Sequence, residues 1–339
     1  MTESTDAPNL TTSESTVQKI AFIFPGQGSQ TVGMGKDLAE KYPIARQTFE
    51  EADEALGYKL SQLCFEGPED QLRLTEITQP AILTTSIAAL RVLEGRISKP
   101  SFVAGHSLGE YSAHVASGTM SFADAVRTVR NRGKYMQEAV PVGVGAMAAI
   151  LGMDLEKVAA LCEEAAQGEV CSPANINSPE QIVISGNTAA VERGAKLADE
   201  RGAKRAKLLP VSAPFHCSLM KPAQDRLEAD LNKLRMQKPV YPVACNVEAV
   251  LISDEMRARE TLVAQVTGSV KWEQSMRLLI AQGVQTFVEI GPGKVLCGLM
   301  RQIDRAKTCL NVGDEASLTK AIEQLDPGSN GIPDHRAAS

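Results

Sequence analysis

The chain has 339 residues, of which 43% are hydrophobic and 22% are charged, and this balance is typical of a globular protein. The formal net charge of −6 argues against nucleic acid as a main partner. No apolar run approaches the ~20 residues of a membrane-spanning helix, so we expect no membrane segment. The seven cysteines form no Cys-x-x-Cys pair, and this odd, unpatterned set predicts reduced thiols in a cytoplasmic protein.

The chain opens with a polar segment and then alternates between apolar runs and helical patterns. Residues 1–17 are rich in Ser, Thr and Glu and lack the apolar core of a signal peptide, which predicts a disordered extension. Strand-like runs follow at 19–24, 101–105, 286–290 and 309–312. Helical patterns lie between them at 36–56, 79–95, 121–138, 218–235 and 272–282. This alternation predicts a mostly parallel sheet covered by helices on both faces, and residues 326–339 are expected to form a flexible tail.

The middle of the chain has a different order of elements. Its predicted elements are a strand at 146–151, a helix at 155–166, strands at 170–176 and 181–186, a helix at 188–201 and a strand at 205–211. The order βαββαβ is that of a ferredoxin-like unit, and turn-rich segments bound it on both sides. We therefore expect a small subdomain inserted in a larger α/β domain.

The segment Gly105-His106-Ser107-Leu108-Gly109 fits the pattern Gly-x-Ser-x-Gly between an apolar run and a helical pattern. A serine on such a tight strand-to-helix turn stands beside free backbone N–H groups at the helix N-terminus, where an oxyanion would be stabilised. The amide of Leu108 is then the natural donor. The alternative is that Ser107 merely caps the helix beside a glycine turn.

A serine nucleophile needs a base, and the chain has four histidines. His106 is adjacent to Ser107 and leaves the turn in another direction, His114 is about 10 Å away along the helix, and His335 lies in the predicted tail. His216, in "VSAPFHCSLMKP", is therefore the candidate base. A histidine with a purely structural role is the alternative.

No acid between the serine and His216 has a setting suited to a catalytic triad. Asp124 opens a helix, Asp154 has the position of a helix cap, and Asp199 lies at a charged helix end. More chain follows His216 than a hydrolase triad topology allows. We therefore expect a backbone carbonyl to orient the imidazole, which makes a dyad.

Three further features each have two interpretations. On a wheel of the helix 121–138, Arg132 lies at the edge of the apolar face, where it either binds a substrate carboxylate or covers apolar surface with its stem. Asn175 and Asn177 either line a cleft or form turns. The cations of "RGAKRAK" (201–207) either form a solvated face or bind a partner that carries negative charge. The turn "GPGK" (291–294) lacks Walker spacing and is expected to open a helix.

Seven segments together resemble the bacterial malonyl-CoA:acyl carrier protein transacylase family, in the right order over about residues 19–312. They are "FIFPGQGSQTVGMGKDL" (22–38), "GHSLGEYSAHVASG" (105–118), "RNRGKYMQEA" (130–139), "GAMAAILG" (145–152), "INSPEQIVISG" (176–186), "PVSAPFHCSLMKPA" (210–223) and "EIGPGKVLCGLM" (289–300). The resemblance implies a hydrolase-like α/β core with a ferredoxin-like insertion. We place the large domain at 18–140 and 214–325 and the small one at 141–213.

The resemblance also implies roles for individual residues. Ser107 is expected to carry the malonyl group and His216 to act as its base. The backbone N–H of Gln27 is expected to join that of Leu108 in an oxyanion hole, while Arg132 binds the malonyl carboxylate.

The family further implies that the main-chain carbonyl of Gln265 orients the histidine, which agrees with the absence of a suitable acid. Phe215 resembles the residue that restricts space beside the acyl α-carbon and disfavours a methyl-branched donor. The expected activity is a ping-pong transfer from malonyl-CoA to the phosphopantetheine thiol of acyl carrier protein, for fatty-acid elongation. No cluster of metal ligands appears in the sequence, and we expect no metal or other cofactor, no membrane partner and a monomer.

Overall fold

The computed structural model describes residues 19–211 and 213–325, so the predictions for 1–17 and 326–339 lie outside the described residues. The strands are β1 (Lys19–Phe24), β2 (Phe102–Gly105), β3 (Gly145–Leu151), β4 (Cys171–Ser178), β5 (Gln181–Asn187), β6 (Arg205–Leu208), β7 (Val243–Ala244), β8 (Leu251–Ile252), β9 (Val284–Ile290) and β10 (Thr308–Val312). The helices are α1 (Lys36–Lys41), α2 (Pro43–Leu56), α3 (Leu60–Glu66), α4 (Glu69–Leu72), α5 (Thr75–Leu93), α6 (Gly109–Ala116), α7 (Phe122–Glu138), α8 (Leu155–Ala166), α9 (Thr188–Glu200), α10 (Lys221–Leu231), α11 (Glu255–Ala264), α12 (Trp272–Ala281), α13 (Val295–Ile303) and α14 (Glu315–Leu325).

The larger sheet has six strands in the order β10-β9-β1-β2-β7-β8. Every neighbouring pair is parallel except β7 and β8, which confirms the predicted mostly parallel sheet. Buried side chains cover both faces: Phe22 and Phe24 of β1 pack into one apolar cluster, and Ala21 and Ile23 into another. The carboxyl ends of β1 and β2 meet, because Phe24 is in register with Gly105.

The smaller sheet is antiparallel, with the order β4-β5-β3-β6, and its elements follow the predicted sequence βαββαβ. Helices α8 and α9 pack on one face, against side chains such as Ile150 and Ile184. Met147 and Val183 point to the opposite face and join the core of the larger sheet. The four strands lie within 145–208, and the domain boundaries at 140/141 and 213/214 stay a prediction.

Several predicted elements need correction. The helix expected at 36–56 is two helices, because Tyr42 is extended before Pro43 and proline can only occupy the first turn of the next helix. The strand expected at 205–211 ends at Leu208, and the helix expected at 218–235 is regular only over Lys221–Leu231. The turn at 291–294 does open a helix, α13, with Gly291 and Gly293 at positive φ.

The cysteines also depart from expectation, because Cys297 of α13 and Cys309 of β10 form a disulfide. The two residues belong to different elements, and no local sequence pattern links them. Helix α13 returns the chain to the edge of the larger sheet, where the two Cα atoms lie 5.3 Å apart. Five cysteines of the described ranges are free thiols. Within residues 19–211 and 213–325, no helix is long and apolar enough to cross a membrane.

Candidate active site

Ser107 lies on the turn between β2 and α6, at the carboxyl edge of the larger sheet. Its φ of 51° places it in the left-handed region, as a strained nucleophile turn predicts. Close packing explains the flanking glycines. A Cβ on Gly105 would lie 1.9 Å from the backbone of Gly109, and a Cβ on Gly109 would lie 2.1 Å from the carbonyl oxygen of Phe24. Only glycine fits at either position.

His216 meets Ser107 across the cleft. Its Nε2 lies 2.7 Å from Ser107 Oγ, and its Nδ1 lies 2.9 Å from the backbone carbonyl oxygen of Gln265. A carbonyl accepts, so Nδ1 carries the proton and Nε2 is free to receive the serine proton. The geometry is therefore that of a nucleophile, a base and an orienting carbonyl.

The other candidate bases and acids lie elsewhere. His106 Nε2 lies 2.8 Å from Asn177 Oδ1, and His114 is fully buried on α6, where neither ring nitrogen forms a hydrogen bond with the described residues. Asp154 caps α8 and Asp124 lies in the first turn of α7. Asp199, the third acid weighed from the sequence, accepts the backbone N–H of Ala206. None of these groups contacts His216.

Arg132 is more deeply buried than its place on the helical wheel predicts, with 1% of its surface exposed. Its guanidinium donates to Gln79 Oε1 at 2.9 Å, to Gln265 Oε1 at 2.9 Å and to Ser107 Oγ at 3.1 Å. These partners are all neutral, and within the described ranges no carboxylate lies within ion-pair distance of Arg132. A buried cation that donates only to neutral oxygens, one of them Ser107 Oγ, is suited to receive an anion.

Leu108 and Gln27, the two residues expected to supply oxyanion-hole amides, lie beside the same space. Leu108 directly follows the nucleophile at the start of α6, and Gln27 lies on the loop after β1. Both residues line the cavity that contains Ser107 and Arg132. Amides at the N-terminus of a helix and in a neighbouring loop can stabilise a tetrahedral oxyanion.

The cavity around Ser107 has a volume of about 120 Å³, and Phe215, His216 and Asn175 form part of its wall. Asn177 lines an adjoining cavity of about 200 Å³, which also contains Asn175. Both asparagines thus line the cleft, and the buried Oδ1 of Asn175 has no partner among the described residues. A larger cavity of about 360 Å³, beside Tyr241, contains none of the groups described above.

Burial dominates the electrostatics of the site. Burial and, as a smaller cause, the positive charge of Arg132 together lower the pKa of His216 to about 3. The imidazole is therefore neutral and able to accept a proton throughout the physiological pH range. Burial also lowers the pKa of Arg132, although nearby Glu110 and Tyr111 oppose that effect.

Comparison with known proteins assigns the family. Residues 21–324 match the acyl transferase domain family. The malonyl CoA-acyl carrier protein transacylase of Escherichia coli (strain K12) is 50% identical over 306 residues, or 90% of this chain and 99% of the relative. Its counterpart from Bacillus subtilis (strain 168) is 50% identical over 310 residues, or 91% of this chain and 98% of the relative.

Solved structures agree with this assignment. The transacylase from Coxiella burnetii has a TM-score of 0.89 at 44% identity and covers 91% of this chain and 98% of its own. A malonyl-transacylase in complex with a type II PKS acyl-carrier protein has a TM-score of 0.88 at 46% identity and covers 90% of this chain and 99% of its own. The chain belongs to the malonyl CoA-acyl carrier protein transacylase family.

Sequence reasoning missed three polar residues around this transacylase site. Gln79 on α5 accepts from Arg132, and the side chain of Asn246 binds the backbone at Ser107 and Gly105. Glu110 is fully buried and accepts from Gln265 and from the backbone of Asn246. The sequence offered one signal for Glu110, which is a carboxylate in the otherwise weakly polar start of α6, three positions after Ser107.

The predicted cationic segment of the transacylase divides into two pairs. Arg201 forms an ion pair with Glu164, and Lys204 forms one with Glu180. Arg205 and Lys207 are exposed on β6, the edge strand of the smaller sheet, and have no ion-pair partner in the described part of the chain. Groups of three or more potential metal ligands are absent from residues 19–211 and 213–325.

Proposed function

We propose that this enzyme transfers a malonyl group from malonyl-CoA to the phosphopantetheine thiol of acyl carrier protein through a malonyl ester on Ser107. The observation that carries the proposal is the buried Arg132 guanidinium, 3.1 Å from Ser107 Oγ and held only by neutral oxygens. An acyl donor with a free carboxylate supplies the missing anion, and the planar guanidinium binds it through two parallel hydrogen bonds. The relatives named above are transacylases for this acyl group.

In the first half of the reaction, Ser107 Oγ attacks the thioester carbonyl and its proton passes to Nε2 of His216. The amides of Leu108 and Gln27 stabilise the oxyanion of the tetrahedral intermediate. The intermediate collapses with cleavage of the carbon–sulfur bond, and the departing coenzyme A sulfur takes the proton from His216.

In the second half, the carrier thiol gives its proton to His216 and its sulfur attacks the malonyl ester. Collapse of this intermediate releases Ser107, which recovers its proton from the imidazole. The Gln265 carbonyl keeps the imidazole in the required tautomer in both halves, because it accepts from Nδ1 at 2.9 Å.

The malonyl carboxylate also assists the base. The charge of Arg132 lowers the pKa of His216, and a bound carboxylate offsets that charge. Substrate binding therefore raises the basicity of the imidazole at the moment when it must accept the serine proton. A donor without a carboxylate, such as acetyl-CoA, lacks this effect and also lacks the orientation that Arg132 provides.

We assign Arg205 and Lys207 to docking of the acidic carrier protein. Both are exposed on an edge strand without an ion-pair partner in the described residues, whereas Arg201 and Lys204 are already paired. Unpaired surface cations raise the association rate with an acidic partner. The proposal places the reaction in the cytoplasm, in fatty-acid elongation, and in a monomeric enzyme whose only small-molecule requirements are its substrates.

The direct test is intact-mass measurement after mixing with malonyl-CoA in the absence of carrier protein. We expect a single malonyl adduct on wild-type enzyme and none on Ser107→Ala. Addition of phosphopantetheinylated carrier protein should discharge the adduct and produce malonyl-carrier. Absence of the adduct, or release of free malonate whether or not the carrier is present, would contradict the transferase proposal.

A further inference from the structure

A buried carboxylate, Glu110, lies among the residues that support Ser107 and His216. Glu110, in the first turn of α6, has no exposed surface. Its Oε2 accepts from Gln265 Nε2 at 2.7 Å and from the backbone N–H of Asn246 at 3.0 Å. Hydrogen bonds to an ionised carboxylate are about twice as strong as those between neutral groups. Glu110 Oε2 therefore fixes two residues, Gln265 and Asn246, that are both far from Glu110 in the sequence.

Through Gln265, Glu110 acts on the base and on the arginine. The backbone carbonyl of Gln265 orients His216, and its side-chain Oε1 accepts from Arg132 at 2.9 Å. The side-chain Nε2, which Glu110 binds, also donates to the carbonyl of Ser107 at 3.0 Å. The orientation of the Gln265 amide is fixed from both ends, because only its oxygen can accept from Arg132 and only its NH₂ group can donate to the Glu110 carboxylate.

Through Asn246, Glu110 acts on the nucleophile turn. Asn246 Oδ1 accepts the backbone N–H of Ser107 at 2.7 Å, and its Nδ2 donates to the carbonyl of Gly105 at 2.7 Å. These two bonds hold the turn on which Ser107 adopts a φ of 51°. A left-handed serine persists only when its surroundings fix it, and Asn246 and Gln265 both do so from outside the turn.

We propose that Glu110 is a positioning residue for the transfer reaction. Through Gln265 and Asn246, it fixes the relative positions of His216, of the turn that carries Ser107 and of Arg132. This inference rests on the proposed function of Ser107 and His216. In a hydrolase triad the acid contacts the histidine directly. Here the acid lies three residues after the nucleophile and reaches the histidine through one intervening glutamine.

Arg132 is the main charged neighbour of Glu110, because the other titratable groups around Glu110 are neutral near pH 7. His114 and Tyr111 face it from its own helix, and the Cys245 thiol lies beside Asn246. Burial lowers the pKa of His114 to about 3 and raises the pKa of Tyr111 and of Cys245, so these three are neutral near pH 7. Burial raises the pKa of Glu110 to about 7, so its own charge is lost as the pH falls through that value.

The test measures the reactivity of Ser107 with a fluorophosphonate, which labels an activated serine independently of any acyl donor. The rate is followed by intact mass from pH 5.5 to 8.5. We expect Glu110→Gln to label about 10- to 100-fold more slowly than wild type near pH 8, because charge-assisted bonds to Gln265 and Asn246 are lost. We also expect the acid limb of the wild-type profile, near pH 7, to disappear or move to lower pH.

Glu289→Gln is the matched control. Glu289 is also a buried carboxylate, its pKa is also raised to about 7 by burial, and it accepts two backbone N–H groups, those of Leu296 and Cys297. It does not contact the dyad or its supporting residues. Its replacement should change labelling per folded molecule by less than about threefold and leave the acid limb in place.

The inference is wrong if Glu110→Gln labels at the wild-type rate, if Glu289→Gln loses as much, or if the acid limb is unchanged in Glu110→Gln. If Glu110→Gln does not fold, the wild-type enzyme still gives an answer. The ¹³C-carboxyl signal of Glu110, assigned with the help of Glu289→Gln, must then titrate with the same midpoint as the labelling rate, and a separate midpoint overturns the inference. Normal labelling with no malonyl adduct would contradict the substrate proposal alone.

Discussion

Two regions of the molecule, a buried wall around Ser107 and an exposed wall on β6, are built in opposite ways. In the buried wall, hydrogen bonds join Ser107, His216 and Arg132, and the side chains of His216 and Arg132 are almost completely excluded from water. The exposed wall consists of Arg205 and Lys207, which lie on the edge strand of the smaller sheet without an ion-pair partner in the described residues. Chemistry requires fixed geometry, whereas recognition of a mobile protein partner requires accessible charge. Substitutions on the two walls should therefore affect different steps of the reaction.

The largest difference should follow Arg132→Ala on the buried wall. The malonyl carboxylate loses its charge-assisted hydrogen bonds, so we expect acylation by malonyl-CoA to fall about 100- to 1000-fold in kcat/KM. Acylation by acetyl-CoA, which has no carboxylate, should fall less than about tenfold. Single-turnover acylation with each donor, followed by intact mass, measures both effects.

Arg130→Ala is the control for this comparison. Arg130 lies on the same helix, but it is partly exposed, with its guanidinium 3.9 Å from Glu76. A pair of this kind contributes little, so acylation by both donors should stay within about twofold of wild type. Equal losses with malonyl-CoA and acetyl-CoA in Arg132→Ala would contradict a carboxylate-binding role.

The sequence predicted the parts of the buried wall whose signals are local. Ser107 lies in a five-residue pattern with a steric cause, and the choice of His216 needed only a comparison of four histidines. Arg132 was ambiguous, because a helical wheel shows direction but not depth. The structure places Gln79 and Gln265 around the guanidinium, and the role of Arg132 toward a substrate carboxylate stays a prediction.

The missed residues depend on tertiary contacts that no local pattern encodes. Asn246 follows β7, which has only two residues and therefore shows no period of alternation. Glu110 has no role until α11 brings Gln265 next to it. The Cys297–Cys309 disulfide likewise depends on α13 returning the chain to the edge of the larger sheet, next to β9.

A smaller effect is expected on the exposed wall, with the double variant Arg205→Glu and Lys207→Glu. The reversed charges repel an acidic carrier, so kcat/KM for transfer to the carrier protein should fall about tenfold at low salt and approach wild type at high salt. Acylation by malonyl-CoA should be unchanged, because neither residue lines the cavity around Ser107. Stopped-flow transfer at several salt concentrations measures this.

Arg201→Glu with Lys204→Glu supplies the matched control, since both cations already pair with Glu164 and Glu180. We expect a smaller loss of transfer from this variant. If Arg205→Glu with Lys207→Glu slows acylation by malonyl-CoA instead, the cations bind coenzyme A phosphates rather than the carrier. An effect of the same size from both double variants would show that net charge, and not the unpaired cations, controls docking.

The smallest effect concerns stability and compares one strained residue from each region. Ser107 and Gln167 both have positive φ, 51° and 46°, and glycine relieves such strain. We expect Ser107→Gly and Gln167→Gly each to raise the free energy of unfolding by about 1 kcal/mol, after the entropic cost of glycine is subtracted. Chemical denaturation measures the change.

Ser107→Gly should abolish the malonyl adduct, while Gln167→Gly, at the exposed end of α8, should keep full activity. If Ser107→Gly alone lowers the free energy of unfolding, the serine side chain stabilises its own turn. The positive φ of Ser107 would then not be a strained conformation that Asn246 maintains at a cost in stability.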